Sequence, residues 1–185
     1  MRKLILGFGM TIDGYIARPD HSVDYLKMTK EGAKLMGDFF ATLDTLVIGR
    51  KTVDANRALR AAEGSAVPQG PWKSYVFSRT LPPGERDGIT WTNQSPAAFL
   101  RKLRRKPGKH IFLMGGGELG RSFLEADLVD ELFLGIVPIL LGEGIPAFPA
   151  GFPQRDWKLV ECAGIGGDQV SLRYRRIRSK ARRKK

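Results

Sequence analysis

Residues 110–128 read HIFLMGGGELGRSFLEADL, an apolar run and an amphipathic one joined by three consecutive glycines. HIFLM has the density of a strand covered on both faces. Leu119, Phe123, Leu124 and Leu128 mark one buried helical stripe behind it. A strand that passes directly into a helix is the unit of a parallel sheet, and ligands gather in the crevice at the carboxyl ends of such strands. Gly115, Gly116 and Gly117 occupy that place. A backbone without side chains can approach a diphosphate closely there, and the helix dipole favours its charge. A tight turn needing positive φ accounts for one of these glycines, or two, without any ligand.

The alternation repeats along the chain. KLILGFGMTIDGYIA opens as a buried strand followed by an Asp13-Gly14 turn. Leu35, Met36, Phe39, Phe40 and Leu43 then form one helical stripe, and TLVIG follows as a short buried strand. ANRALRAAEGSAVPQGPW is a turn-rich surface excursion, KSYVFSR another strand, and Thr90 to Thr92 one more. Ser95-Pro96 caps a helix that runs through AAFLRKLRRK to the stop at Pro107-Gly108. DELFLGIVPILLG reads as a further strand. WKLVECAGIGGDQVSLRYRRI reads as two terminal strands joined by a glycine-containing hairpin. Strands alternating with helices, then a run of strands, predict a three-layer α/β domain: a mostly parallel sheet with helices on both faces and an antiparallel edge.

Composition narrows the chemistry. One cysteine, Cys162, excludes an internal disulfide and a multi-cysteine zinc site. Two histidines, His21 and His110, do not make a histidine-rich metal centre, so we expect an organic cofactor and no metal. No apolar run reaches the roughly 20 residues that span a bilayer, and MRKLILGFGM lacks a small-residue cleavage site, which predicts a cytoplasmic protein with no membrane partner. Of the formal charge of +12, nine positive charges lie from Arg173 onward and +3 is left for the remainder. Residues 1–177 are therefore expected to form the domain and 178–185 a basic, disordered tail, whose contact with nucleic acid would be nonspecific.

Two further strand ends carry anion-binding groups. Gly49, Arg50, Lys51 and Thr52 close TLVIG with a glycine, two cations and a hydroxyl that can start a helix. Ser78 and Arg79 close KSYVF. Arginine forks suit a phosphate monoester such as the 2′-phosphate that distinguishes NADPH from NADH. Each of these cations could equally be a solvated surface charge.

MTIDGYIA, VIGRKT, VFSR, MGGGELGRSFLEADLVDEL and VPILLGEG, in this order, resemble the dihydrofolate reductase superfamily. They resemble most the reductase domain at the carboxyl end of the bifunctional riboflavin-biosynthesis deaminase–reductase and its single-domain relatives. The resemblance covers about Lys3 to Ile177. It implies a sheet of about eight strands and an extended NADPH. Gly49, Arg50, Lys51 and Thr52 would hold its adenosine side and diphosphate, Ser78 and Arg79 would lie near the 2′-phosphate, and Gly115, Gly116, Gly117, Glu118 and Leu119 would cradle the diphosphate from the other side. Ile12, Asp13 and Gly14 match the segment near nicotinamide and substrate, and Val137, Pro138, Leu141, Gly142 and Gly144 match the opposite rim. Met10, Ile12, Val137 and Leu141 would supply apolar walls, and Asp13 is the candidate proton donor.

The resemblance thus implies an NADPH-dependent oxidoreductase acting on a small heterocyclic substrate, similar to 5-amino-6-(5-phosphoribosylamino)uracil reductase, as a homodimer. Dihydrofolate or pterin reduction is an alternative, although folate-reducing relatives carry an acid in the first helix where this chain has Ala33, with Glu31 and Asp38 pointing elsewhere. The deaminase half, with its H-x-E and P-C-x-x-C pattern, is absent from the single-cysteine chain. A non-catalytic nucleotide-binding module whose tail contacts nucleic acid is the remaining reading.

Overall fold

A computed structural model describes residues 1–55, 70–114 and 116–178 of the chain. The stretch 56–69 of the turn-rich excursion, Gly115, and residues 179–185 of the basic terminus lie outside the described residues. Among the described residues nine strands form one sheet in the order β10-β11-β8-β1-β7-β3-β4-β6-β5. Its centre is β1 (Leu4–Thr11), flanked in parallel by β7 (His110–Met114) and β8 (Glu131–Val137). Beyond β7 come β3 (Leu43–Gly49), β4 (Lys73–Phe77) and β6 (Ile89–Thr92), again parallel. Antiparallel neighbours close both sides: β5 (Gly84–Arg86) against β6, and β11 (Val170–Arg176) with β10 (Trp157–Gly164) beyond β8. A separate two-stranded ribbon joins β2 (Tyr15–Ala17) to β9 (Ile145–Pro146).

The dihydrofolate reductase-like α/β architecture is the one expected, with two local differences. The added strand is β5, turned onto β6 by Asp87 and Gly88 at φ 51° and 72°, the left-handed pair of a tight hairpin. The apolar run after Asp130 is not one strand throughout. β8 stops at Val137 because Pro138 has no N–H for a ladder, and the chain turns back at Ile139, whose N–H meets the Val137 carbonyl.

α1 (Lys30–Ala41) starts where the Thr29 side chain accepts a hydrogen bond from Gly32 N, and it ends before Leu43, which opens β3 rather than completing the helical stripe. α2 opens at Arg50 and is described over 50–55. α3 (Pro96–Arg104) has the expected Ser95 cap and first-position proline, and buries Phe99, Leu100 and Leu103. α4 (Gly117–Glu125) buries Phe123 and Leu124.

Strand alternation sorts these helices onto two faces. Leu4, Leu6, Val47, Ile111 and Leu113 face α3 and α4 in the larger core, while Ile5, Phe112 and Phe39 form the core under α1. No helix among the described residues is long and apolar enough to cross a membrane.

Ion pairs gather at the amino ends of the central strands. Glu131, 1% exposed, accepts from Lys3 at 2.7 Å and Arg173 at 2.8 Å. Asp130 takes Arg104 and Arg178, and Asp127 takes Arg176 and Arg155. Arg173, Arg175, Arg176 and Arg178 of the basic run are therefore paired with carboxylates, because the neighbouring strand and its loop place acids beside them.

Candidate active site

Parallel pairing of β1, β7, β3 and β4 puts their carboxyl ends on one edge, and a cleft of about 1270 Å³ opens there. Gly49, Arg50, Lys51 and Thr52 line it from the β3–α2 junction, Ser78 and Arg79 from the end of β4, and Gly116, Gly117, Glu118 and Leu119 from the start of α4. The junctions touch. A Cβ built on Gly49 would meet Leu119 at 3.8 Å, and one on Gly116 would meet Thr52 Oγ1 at 3.0 Å.

Two glycines of the triplet have a local reason to be glycine. Gly116 has φ 76° and caps α4 without a side chain, and a Cβ on Gly117 would stand 2.7 Å from the Pro146 carbonyl oxygen. The first-turn amides of α4 are consequently left without a side-chain acceptor, at the positive end of the helix dipole.

The charges beside that helix end form a small set. Lys51 Nζ lies 3.1 Å from one Glu118 carboxylate oxygen and Arg79 3.6 Å from the other. The lysine's hydrogen bond, with its charge, holds the Glu118 carboxyl below the usual carboxylate range. Ser78, 6% exposed, uses its oxygen to accept from Leu81 N at 2.9 Å and thereby orders the turn that carries Arg79. Arg50 pairs with Asp54 one turn along α2.

The expected substrate rim divides. Val137 lines the cleft, but Met10, Ile12, Asp13, Gly14, Pro138, Leu141, Gly142 and Gly144 are not among its lining residues. Asp13 is exposed and fully engaged: one oxygen accepts from Thr11 Oγ1 at 2.5 Å, the other from Leu141 N at 2.8 Å and Gly142 N at 2.7 Å. The Thr11 hydroxyl first, then these amides, hold its carboxyl below the ordinary range. Through these three accepted hydrogen bonds Asp13, expected to be the proton donor, ties the turn after β1 to the 139–142 loop.

Sequence reading missed the floor and far wall. On the α1 face of the sheet the positions toward the strand ends are Gly7 and Gly9 of β1, Gly135 of β8 and Ser171 of β11, with Ser171, Gly135 and Gly9 in register across three strands. Phe112 and Phe133 bound this hollow from below, and Leu35, Met36 and Phe40 of α1 cover its side. Glycines inside strands were the available signal, because they weaken a strand unless something must come close. Asn93 and Gln94, which follow β6 into the cleft beside Arg79, carried no such signal.

A mostly parallel sheet with an antiparallel margin and a cleft at its switch edge is the dihydrofolate reductase-like class. Dihydrofolate reductase from Enterococcus faecalis, complexed with NADP(H), superposes with a TM-score of 0.68 at 17% identity, over 94% of this chain and 96% of that one. The deaminase/5-amino-6-(5-phosphoribosylamino)uracil reductase of Thermotoga maritima gives 0.72 at 14% identity, over 95% of this chain and 57% of that one. The chain belongs to the RibD C-terminal domain family, whose sequence model matches residues 2–171. A relative in Bacillus subtilis, the uncharacterized protein YyaP, is 35% identical over 182 residues, 94% of each chain.

Proposed function

We propose that this chain is an NADPH-dependent reductase of a flat heterocyclic substrate. The observation that carries it is the convergence of three strand ends, with Lys51, Arg79 and the uncapped start of α4, on one cleft whose other end is apolar. Glu118 already places a carboxylate against both cations, so the site accepts anionic oxygen at that position. Two structural neighbours, a dihydrofolate reductase in complex with NADP(H) and a deaminase/reductase, support the same reading.

The chain fits the cofactor without further groups. Lys51, Thr52 and the amides of Gly117, Glu118 and Leu119 would hold the diphosphate, and Arg79, presented by the Ser78 turn, would meet the 2′-phosphate. The bound nicotinamide supplies a hydride; the protein's part is position and exclusion of water. Val137, Phe112 and Phe133 keep the substrate end dry, and Asp13 holds the 139–142 loop in place. Among the described lining residues Glu118 is the sole carboxylate and it sits at the cation end, which leaves water or His21 to deliver the proton. Folate reduction is not favoured, because α1 contributes Gly32, Leu35, Met36 and Phe40 to the cleft and no acid.

The test is loss of reduced-nicotinamide absorbance when the full chain, NADPH and a panel of oxidised pyrimidine, pteridine and flavin-like ring compounds are mixed. Turnover with at least one compound, abolished by removing NADPH, is expected. Consumption no faster than in buffer across the panel would count against a reductase.

A further inference from the structure

The two ends of the cleft differ in charge. Five lysines and arginines line it among the described residues, and four of them, Arg50, Lys51, Arg79 and Arg121, belong to the β3, β4 and α4 junctions. Among the described residues the other end holds only Lys27 and the imidazole of His21, both exposed and both on the segment between β2 and α1. Arg173 shares the face of the sheet but is held by Glu131 through two hydrogen bonds, at 3.1 and 2.8 Å. Surrounding this end are Leu26, Met36, Phe40, Phe112, Phe133 and Ile165. A phosphate brought among them would lose its hydration with no arginine fork among the described residues to replace it.

The floor at the same end is open over Gly135, while over Gly9 the Leu26 side chain stands 3.1 Å from where a Cβ would lie. Gly9 and Gly135 are register partners in the middle of the sheet, where a side chain would ordinarily pack. Packing does not demand glycine at 135: its φ is not positive, and the nearest atom to an added Cβ is Gly9 Cα at 3.8 Å. A strand interior that could carry a side chain at no steric cost, yet leaves the space open, keeps room for something planar. Ser171, in register with Gly135 and 6% exposed, lines this floor, and its hydroxyl makes no hydrogen bond to another described residue. A hydroxyl open to the cleft and without a partner among the described residues is available to the ring edge that comes to lie there.

From this we infer that the substrate is an uncharged, unphosphorylated planar ring, laid over Gly135 against the Leu26 side chain, with the Ser171 hydroxyl at its edge. Gly135 is the residue that fixes this specificity. The inference rests on the reductase reading for its cofactor end, but its own content is the choice between a bare ring and a ring that carries phosphate.

Fluorescence titrations of the full chain, saturated with NADP⁺, with lumichrome and with riboflavin 5′-phosphate separate the two. Lumichrome should bind at least about tenfold more tightly than the phosphorylated flavin. Gly135→Val should weaken lumichrome about tenfold or more while leaving NADPH affinity within about twofold and thermal stability no lower than that of the parent. Ser171→Ala, a smaller change, should also weaken lumichrome, and Met36→Lys should narrow the preference by giving the phosphate a partner. Tighter binding of riboflavin 5′-phosphate, or lumichrome affinity unmoved by Gly135→Val and Ser171→Ala alike, would overturn the inference. Failure of NADPH itself to bind would instead strike the reductase reading, and that titration is run on the same protein.

Discussion

The Glu118 carboxylate, in the first turn of α4, reaches across the cleft mouth to Lys51 Nζ at 3.1 Å. The pair links two strand-to-helix junctions that lie far apart in the chain, and Arg79 approaches the same carboxylate from a third. An incoming phosphate must compete with Glu118 for both cations. Exposed pairs of this kind are worth only about 0–1 kcal/mol. Glu118→Gln should therefore tighten NADPH binding about two- to fivefold at low salt, with the gain fading as salt rises. Titration of nicotinamide fluorescence measures it, and a loss of affinity would mean that the carboxylate itself serves the ligand.

Asp13 offers a sharper separation of roles. If its carboxylate latches the 139–142 loop, Asp13→Asn should keep kcat within about threefold, whereas loss of a general acid lowers rates about 10²- to 10⁴-fold. Hydrogen exchange at the Leu141 and Gly142 amides, both donors to Asp13, should accelerate in Asp13→Ala. A collapse of kcat in Asp13→Asn, with cofactor affinity intact, would return Asp13 to the chemistry.

The glycines at the start of α4 are predicted to fail for different reasons. Gly117→Ala drives a Cβ against the Pro146 carbonyl and the Pro149 ring, an overpacking cost of about 1–3 kcal/mol. Gly116→Ala forces a left-handed φ on an L-residue, about 1–2 kcal/mol. Urea denaturation resolves both. An unchanged midpoint for Gly117→Ala would mean that the β9 segment yields more readily than its packing implies.

Acid stability should report on Glu131. Burial by itself would raise its carboxyl, but the hydrogen bonds from Lys3 and Arg173 and their charges outweigh that and hold it below its ordinary value. A group depressed in the folded state contributes stability that is complete above its unfolded pKa, near 4.3, and is lost as pH falls through the folded value. Stability should thus decline with acid below about pH 4.5, and Glu131→Gln should flatten that decline. At neutral pH the variant should cost about 2 kcal/mol, less than the 3–5 kcal/mol of a wholly buried broken pair, because Lys3 and Arg173 keep some water. Parallel urea titrations at several pH values test both statements.

Much of the fold is legible along the chain because its signals are local. The Ser95 cap, the Pro96 start and the helical stripe of α1 each lie within one turn of the element they announce, and the order of strands and helices gave the parallel sheet. The end of β8 was overrun because Ile139, Leu140 and Leu141 look as apolar as the strand before them; only Pro138 marks the break. The Asp87-Gly88 turn was readable, but Gly84–Arg86 is too short and polar to announce a strand. The cleft residues at three strand ends could be found one junction at a time. Its floor could not, since Gly9, Gly135 and Ser171 become neighbours only through the order β11-β8-β1, which no local pattern carries. The same is true of Glu131 and Asp130, whose partners in the basic run turn charges that read as solvated into part of the framework.

Calorimetric titration of NADPH and NADH into the full chain and into Arg79→Ala tests the central claim most directly. The parent should bind NADPH with a preference of at least about tenfold, or 1.4 kcal/mol, over NADH, and Arg79→Ala should lose most of that preference while still binding NADH. Absence of binding heat for either coenzyme with competition assays equally silent, or a preference untouched by Arg79→Ala, would contradict the claim that these strand ends grip one dinucleotide.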